Sequence, residues 1–124
     1  MQLYKYLIFS FISVLFIINN NTFAADAANG KKLFTKCKAC HNAEAEKHKI
    51  GPHLVGIFGR KAGSAAGYSK YSDDIKNSGI VWDEANLDKW LTNPKKMYSG
   101  TKMLYPGLKS AEHRADIIEY LKTK

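Results

Sequence analysis

Apolar residues form one continuous run near the start of this 124-residue chain and recur at helical spacing further on. The run, Tyr6–Ile18, is broken only by two serines and is followed by three asparagines. It has the length of a signal-peptide core and is shorter than the ~20 residues that a membrane-spanning helix needs. With Lys5 before it and small residues around Ala24, it predicts a signal peptide over residues 1–24, cleaved after Ala24. The alternative is an uncleaved N-terminal anchor.

Residues 25–124 are predicted to form a single all-α domain, because their apolar residues recur with the period of a helix. Four helices are predicted, each beginning near a residue that can cap it: Asp26–His41, Ser72–Ser78, Asp83–Thr92 and Ser110–Lys122. For the first of them either Asp26 or Asn29 can be the cap. Residues 42–67 and 95–109 contain glycine and proline without a sustained period and are predicted to be irregular. Residues 79–82 are a weak strand candidate. Such long loops are unusual in a small domain unless something organises them.

Two cysteines and a histidine lie at the end of the first predicted helix, in the sequence Cys37-Lys38-Ala39-Cys40-His41. This is the spacing of covalent c-type haem attachment. Positions i and i+3 share a helix face, so both thiols can reach the same porphyrin edge, and His41 can coordinate the iron. The pair could instead be a redox dithiol, half of a zinc site or a disulfide. No βαβ pattern precedes Cys37 and no second ligand pair follows, so haem is favoured.

A haem iron held by one histidine can be left open or closed by a second side chain, methionine or histidine. The candidates in the chain are His48, His53, Met97, Met103 and His113. Met103 lies in a loop with Gly100 before it and Pro106-Gly107 after it, whereas Met97 closely follows a predicted helix end and can simply pack. Loop geometry therefore favours Met103 over Met97, although a single residue of this kind is more often structural.

Several short motifs occur in the order in which class I cytochrome c has them. They are Cys37-Lys38-Ala39-Cys40-His41, Gly51-Pro52-His53-Leu54, Gly59-Arg60-Lys61, Asn93-Pro94-Lys95-Lys96, Gly100-Thr101-Lys102-Met103 and the ending 114–122. Together they span residues 28–122, almost the whole predicted domain. The chain therefore resembles class I cytochrome c, the group that contains the mitochondrial protein and its soluble bacterial relatives.

The resemblance implies a small all-α fold with long loops wrapped around one haem c, which Cys37 and Cys40 hold through thioethers. It implies His41 and Met103 as the axial ligands of the iron, with the Pro52 carbonyl fixing the His41 ring. The residues that match those holding the haem propionates are Arg60, Tyr71, Trp82 and Thr101. Trp90 matches a position beside the methionine sulfur. Packing between the first and last helices is implied for Gly30, Phe34, Tyr120 and Leu121.

The chain departs from the mitochondrial pattern at four positions near the implied methionine ligand. Ile75 stands where that protein has a buried asparagine, Ser99 replaces a proline, Met97 replaces an aromatic residue and Trp90 replaces a tyrosine. Tryptophan cannot donate a phenolic hydrogen bond to sulfur. The surroundings of Met103 are therefore expected to be drier or looser than in the mitochondrial protein.

The chain is basic, with 19 Lys and Arg against 11 Asp and Glu, which gives a formal net charge of +8. The resemblance places six lysines around the exposed haem edge: Lys36, Lys38, Lys95, Lys96, Lys102 and Lys109. Such a ring would steer the protein to acidic docking faces. The expected partners are a cytochrome bc1-type reductase and cytochrome c oxidase. Nucleic-acid binding has no motif in its favour.

A one-electron carrier, monomeric and not an enzyme, is the function that the resemblance implies. The predicted signal peptide implies export to the periplasm. The alternative is a haem protein whose Met103 detaches and opens the iron for peroxidase chemistry or gas binding. An anchored protein facing the periplasm is the alternative localisation.

Overall fold

The computed structural model describes residues 23–124, so nearly all of the predicted signal peptide lies outside the described residues. Within residues 23–124, five α-helices are joined by long irregular segments: α1 (Ala27–Leu33), α2 (Asp73–Lys76), α3 (Glu84–Thr92), α4 (Pro94–Met97) and α5 (Ala111–Lys122). Extended pairing in this region is limited to an isolated bridge between Lys61 and Val81. None of these helices combines the length and hydropathy that a bilayer-spanning segment requires. The predicted all-α fold with long loops is confirmed.

The first helix is shorter than predicted. Asp26 caps it as expected, since its side chain accepts two backbone N–H groups of the first turn. The α-helix ends at Leu33 rather than His41, and Phe34–Cys37 continue as a 3-10 helix. Residues three apart share a face in both helix types, so apolar spacing did not distinguish them.

The helix α4 lies largely inside a segment that the sequence predicts to be irregular. The Asn93 side chain accepts the Lys96 amide, and Pro94 is the first helical residue. Proline is tolerated there because the N–H it lacks would have no helical partner. The Asn93-Pro94 pair therefore ends α3 and also begins α4.

The predicted cap of α2 is also wrong in part: Ser72 precedes α2 but makes no capping bond through its side chain.

The first and last helices pack directly against each other. A Cβ atom at Gly30 would overlap the Asp116 carbonyl group and lie 2.9 Å from the Tyr120 Cβ, so this close approach requires glycine. The rings of Phe34 and Tyr120 meet with their centroids 5.4 Å apart, and both side chains are buried. Leu121 is buried in the same core.

A buried carboxylate fastens the start of α1 to α5. Asp116 is 1% exposed, and its two oxygens accept the Asp26 amide and the Asn29 side chain, each at 2.7 Å. These donors lower the pKa of Asp116, although burial by itself would raise it. The carboxylate therefore stabilises the contact between the two helices in its ionised form.

Arg114 joins α5 to α3 and to the end of the preceding irregular segment. Its Nε donates to Asp88 at 2.6 Å, and its Nη1 donates to the carbonyls of Leu108 and Lys109, each at 2.8 Å. The irregular segment before α5 is thus held at its C-terminal end by a buried guanidinium.

Candidate functional site

The cysteine–histidine motif forms a tight helical turn after the 3-10 helix. The Cys37 carbonyl accepts the amides of both Cys40 and His41, at 3.1 and 2.9 Å. Both cysteines are free thiols and half-buried. Burial raises the pKa of the Cys37 thiol, and the neighbouring Cys40 adds to that shift. The turn therefore holds two thiols and an imidazole within one short segment.

The His41 ring is oriented by the loop that follows it. Its Nδ1 lies 2.7 Å from the Pro52 carbonyl oxygen, and Gly51 donates its amide to the Cys40 carbonyl at 2.8 Å. A Cβ at Gly51 would lie 2.8 Å from the His41 Nδ1, so glycine is needed for this approach. Because a carbonyl can only accept, Nδ1 carries the proton and Nε2 keeps its lone pair.

The charge state of His41 suits a metal ligand. Burial lowers the pKa of His41, and the nearby charges of Arg60 and Lys49 act in the same direction, while the Pro52 hydrogen bond opposes them. The imidazole is therefore neutral at physiological pH, which is the form that binds metals through a ring nitrogen.

Arg60 links the loop beside His41 to the segment before α3. Its guanidinium donates to the carbonyls of His53 at 2.9 Å and Val55 at 3.2 Å. Its own carbonyl accepts the Trp82 amide at 2.9 Å. The Arg60 Nε is buried and has no hydrogen-bond partner among the described residues. A buried, unused N–H on a half-buried cation is a donor suited to an anionic group.

Aromatic side chains continue this series of contacts towards the methionine loop. The Trp82 and Trp90 rings have centroids 5.6 Å apart, and the Trp90 and Tyr98 rings 6.2 Å apart. The Tyr98 carbonyl then accepts the Thr101 amide at 3.1 Å. The Thr101 hydroxyl accepts the Met103 amide at 3.1 Å. An unbroken series of contacts thus runs from His41 to Met103.

The two candidate methionines are in different settings. Met97 lies at the end of α4 and packs against the hydrophobic core. Met103 is half-buried in a segment without helix, between the buried Thr101 and the exposed Leu104. Met97 therefore has a packing role, whereas the Met103 thioether is carried by a loop.

The Tyr71 hydroxyl accepts one hydrogen bond and still has its own proton to donate. Its oxygen accepts the Ala65 amide at 3.1 Å, so its proton is available to another group. The ring meets Tyr68 edge-on, with centroids 4.7 Å apart. Tyr68 in turn donates to the Ile50 carbonyl at 2.8 Å, which ties Tyr71 to the loop beside His41.

Comparison with known proteins matches this arrangement to one family. The family model described as Cytochrome c covers residues 27–124. The chain belongs to the cytochrome c family. It is 50% identical to cytochrome c of Guizotia abyssinica over 101 residues, which cover 80% of this chain and 90% of that protein. Cytochrome c2 iso-2 of Magnetospirillum molischianum is 50% identical over 99 residues, covering 80% of this chain and 98% of the relative.

A solved structure agrees with these relatives. Cytochrome cH from Methylobacterium extorquens is 52% identical and superposes with a TM-score of 0.76, covering 81% of this chain and 100% of that one. The predicted class I cytochrome c is confirmed. As a cytochrome c, the protein carries one covalent haem c and is a monohaem electron carrier.

The residues of this cytochrome c fit a haem. Two thiols in one helical turn suit a pair of thioethers, and the neutral His41 has a free Nε2 for iron. The unpartnered Nε of Arg60 and the spare hydroxyl proton of Tyr71 are donors for carboxylates such as the haem propionates.

The structure also shows two buried polar groups near these residues, one of which, the Ser72 hydroxyl, sequence reasoning missed. The Ser72 hydroxyl and the His53 Nδ1 are buried and have no hydrogen-bond partner within residues 23–124. Ser72 was predicted only as a helix cap, and no pattern in the sequence indicated its burial. His48, one of the candidate ligands, instead bridges two loops: it accepts the His53 amide at 3.1 Å and contacts the Ala66 carbonyl at 2.8 Å.

Proposed function

We propose that this cytochrome c shuttles single electrons in a respiratory chain, from a quinol–cytochrome c reductase to a terminal oxidase, and is not an enzyme. The observation that carries the proposal is the series of contacts that joins His41 to Met103. The bound haem supplies reversible one-electron exchange. The task of the chain is to hold two ligands in fixed places so that no coordination position stays open for a substrate.

In this proposal Cys37 and Cys40 form the thioethers, and His41 and Met103 are the axial ligands. The Pro52 carbonyl keeps the protonated Nδ1 of His41 turned away from the iron. Methionine as the second ligand raises the reduction potential. Because the same two side chains serve both oxidation states, little atomic rearrangement accompanies electron transfer.

We assign the propionate contacts to Arg60, Tyr71, Trp82 and Thr101, and a place beside the methionine sulfur to Trp90. Arg60 brings a half-buried positive charge and a buried N–H without a partner among the described residues. The hydroxyls of Tyr71 and Thr101 each accept a backbone amide and so keep a proton to donate. Two carboxylates would be stabilised there by charge and by hydrogen bonds.

The ligand assignment is tested by comparing Met103→Ala with Met97→Ala in the haem-loaded protein. The ferric form should show the weak absorption band of an iron–methionine bond. We expect Met103→Ala to lose that band and to have a lower reduction potential, and Met97→Ala to keep both. Loss of the band in Met97→Ala alone would assign the ligand to Met97. An unchanged spectrum in both variants would reject a methionine ligand.

We propose that acidic faces of the reductase and oxidase dock onto a surface formed by six lysines, here called the lysine face. Its members are Lys36, Lys38, Lys95, Lys96, Lys102 and Lys109. All six side chains are exposed. Two of the four segments that carry them, residues 36–38 and 102, lie directly beside proposed haem contacts in the sequence. A basic surface of this kind accelerates encounter with acidic partners and keeps the complexes short-lived.

We further propose that residues 1–24 are a signal peptide that delivers a monomeric cytochrome to the periplasm. The apolar run with Lys5 before it and alanines at its end supports export. N-terminal sequencing of the protein recovered from the periplasm should begin at Ala25. A protein that keeps Met1 and remains with the membrane fraction would instead be anchored.

A further inference from the structure

The loop that carries Met103 faces α2 across a cleft. The start of α2 and the segment 99–102 line a cavity of about 420 Å³. Two neighbouring carboxylates, Asp73 and Asp74, stand on the α2 side of this cleft. Neither residue has a place in the electron-carrier assignment given above.

Asp74 makes a hydrogen bond across the cleft. Its Oδ2 accepts the Gly100 amide at 2.8 Å, between residues 26 apart in the chain, and its Oδ1 accepts the Ile75 amide at 3.0 Å. A Cβ at Gly100 would lie 2.9 Å from the Asp74 Oδ2. The absence of a side chain at position 100 therefore allows the carboxylate to approach the backbone.

This bond is one of two backbone attachments of the methionine loop to distant parts of the chain. Within the described residues, the amides of segment 100–108 that bond outside it are those of Gly100, Thr101 and Leu108. Leu108 donates to the Leu91 carbonyl at 2.8 Å, whereas Thr101 donates to the nearby Tyr98 carbonyl at 3.1 Å and so closes a local turn. The Met103 amide bonds inside the loop, and Leu104 is 89% exposed. The attachment of the start of the loop to α2 therefore depends on Asp74.

The neighbours of Asp74 on α2 do not provide this attachment. Ile75 is buried in the hydrophobic core and has no polar side-chain group to offer the loop. Asp73 pairs with Lys76 at 2.9 Å, and its side chain is 88% exposed. Asp74 alone among these three accepts an amide of the methionine loop.

We propose that Asp74 is a positioning residue for Met103. By accepting the Gly100 amide, it fixes the start of the four-residue segment 100–103, whose last residue carries the thioether. Loss of this acceptor lets the loop move away from the haem more often. This inference rests on the proposed ligation of iron by Met103.

The test is the affinity of the ferric, haem-loaded protein for cyanide, which competes with Met103 for the iron. We expect Asp74→Ala to bind cyanide roughly three- to tenfold more tightly than the wild type, the range for losing one surface hydrogen bond. Asp74→Asn should restore wild-type affinity, because its amide oxygen can still accept the Gly100 N–H. Asp73→Ala, which removes the same charge one residue away, should also match the wild type.

A second variant disturbs the same hydrogen bond by a change in the loop instead of in α2. Gly100→Ala should tighten cyanide binding as Asp74→Ala does, because the added methyl group displaces the carboxylate. Wild-type affinity in Asp74→Ala, an equal effect in Asp73→Ala, or failure of Asp74→Asn to restore the affinity would each overturn the role of Asp74. If the wild type lacks the iron–methionine band, both the ligand assignment and this inference fail. If the band is present and depends on Met103 while Asp74→Ala binds cyanide normally, only this inference fails.

Discussion

Asp116 illustrates how one side chain can hold two distant elements together. Its carboxylate is almost fully buried, but the Asp26 amide and the Asn29 side chain replace the water that it loses. A buried charge is tolerated where it is fully hydrogen-bonded, and removing such an acceptor leaves the donors without partners. The stability of the α1–α5 contact should therefore depend on the ionisation of this carboxylate.

Asp116→Asn should destabilise the protein at neutral pH by about 1–3 kcal/mol, because the carboxamide can accept from only one of the two donors with the same geometry. The pKa of Asp116 is lowered in the folded state, so its stabilising contribution is complete above its ordinary pKa of about 3.9. That contribution is lost as the pH falls through the folded-state pKa. The free-energy difference between variant and wild type should accordingly shrink below about pH 4.

Urea denaturation of the haem-loaded proteins at several pH values measures this difference. Glu112→Gln, an exposed acidic residue in the first turn of α5, serves as the control. A difference in the free energy of unfolding between Asp116→Asn and wild type that stays constant down to pH 3 would contradict the assignment of the acid sensitivity to Asp116.

Two ion pairs join α3 to α5 at the level of whole elements, and they should differ in energy. Arg114 has a side chain that is 10% exposed and bonds to Asp88 and two carbonyls. The Lys122 side chain is 31% exposed and bonds to Glu84, which is 69% exposed. Because Arg114 is more buried and has more partners, water replaces its hydrogen bonds less readily than those of Lys122.

Arg114→Met should therefore lower the free energy of unfolding by about 2–4 kcal/mol, since it leaves two carbonyls and a carboxylate without a donor. Lys122→Met, the matched change on the same helix, should stay within about 0.5 kcal/mol of wild type. Chemical denaturation of both variants checks this difference. Equal losses of stability would mean that the buried bonds of Arg114 contribute no more than a surface pair.

The elements also show which parts of the fold could be predicted from sequence. The capping roles of Asp26, Asp83 and Ser110 were predicted correctly, because a cap and the helix it begins are neighbours in the chain. The start of α4 was missed because Asn93-Pro94 satisfies the requirements of a helix end and a helix start at once.

Contacts between distant parts of the chain could not be predicted in this way, because no local sequence pattern indicates them. The haem-attachment motif is local, so Cys37–His41 could be predicted from spacing alone. The bond between Asp74 and Gly100 joins α2 to an irregular segment 26 residues later, and neither residue is part of a periodic apolar pattern. The burial of Ser72 was equally hidden, because its sequence context is that of an ordinary helix cap.

At the scale of the whole molecule, the formal charge of +8 predicts how the protein meets its partners. Its second-order rate constant for electron transfer with an acidic oxidase should fall roughly tenfold as ionic strength rises from about 0.01 M to about 0.15 M. Lys102→Glu, on the lysine face, should lower the rate at low salt and weaken this dependence. Lys70→Glu, an exposed lysine outside that face, should have a smaller effect. Stopped-flow kinetics of the three proteins would reject steering if their rates were equal and insensitive to salt.

The packing of α1 against α5 also sets an order of events during the making of the protein. The amide of Asp26 bonds to a carboxylate 90 residues later, so α1 has no partner until almost the whole chain has been synthesised. Contacts between residues this far apart are slow to form, because the intervening chain must first be brought together. We therefore expect the segment that carries Cys37 and Cys40 to lack the support of α5 during synthesis, which leaves an interval in which haem can be joined to the two thiols.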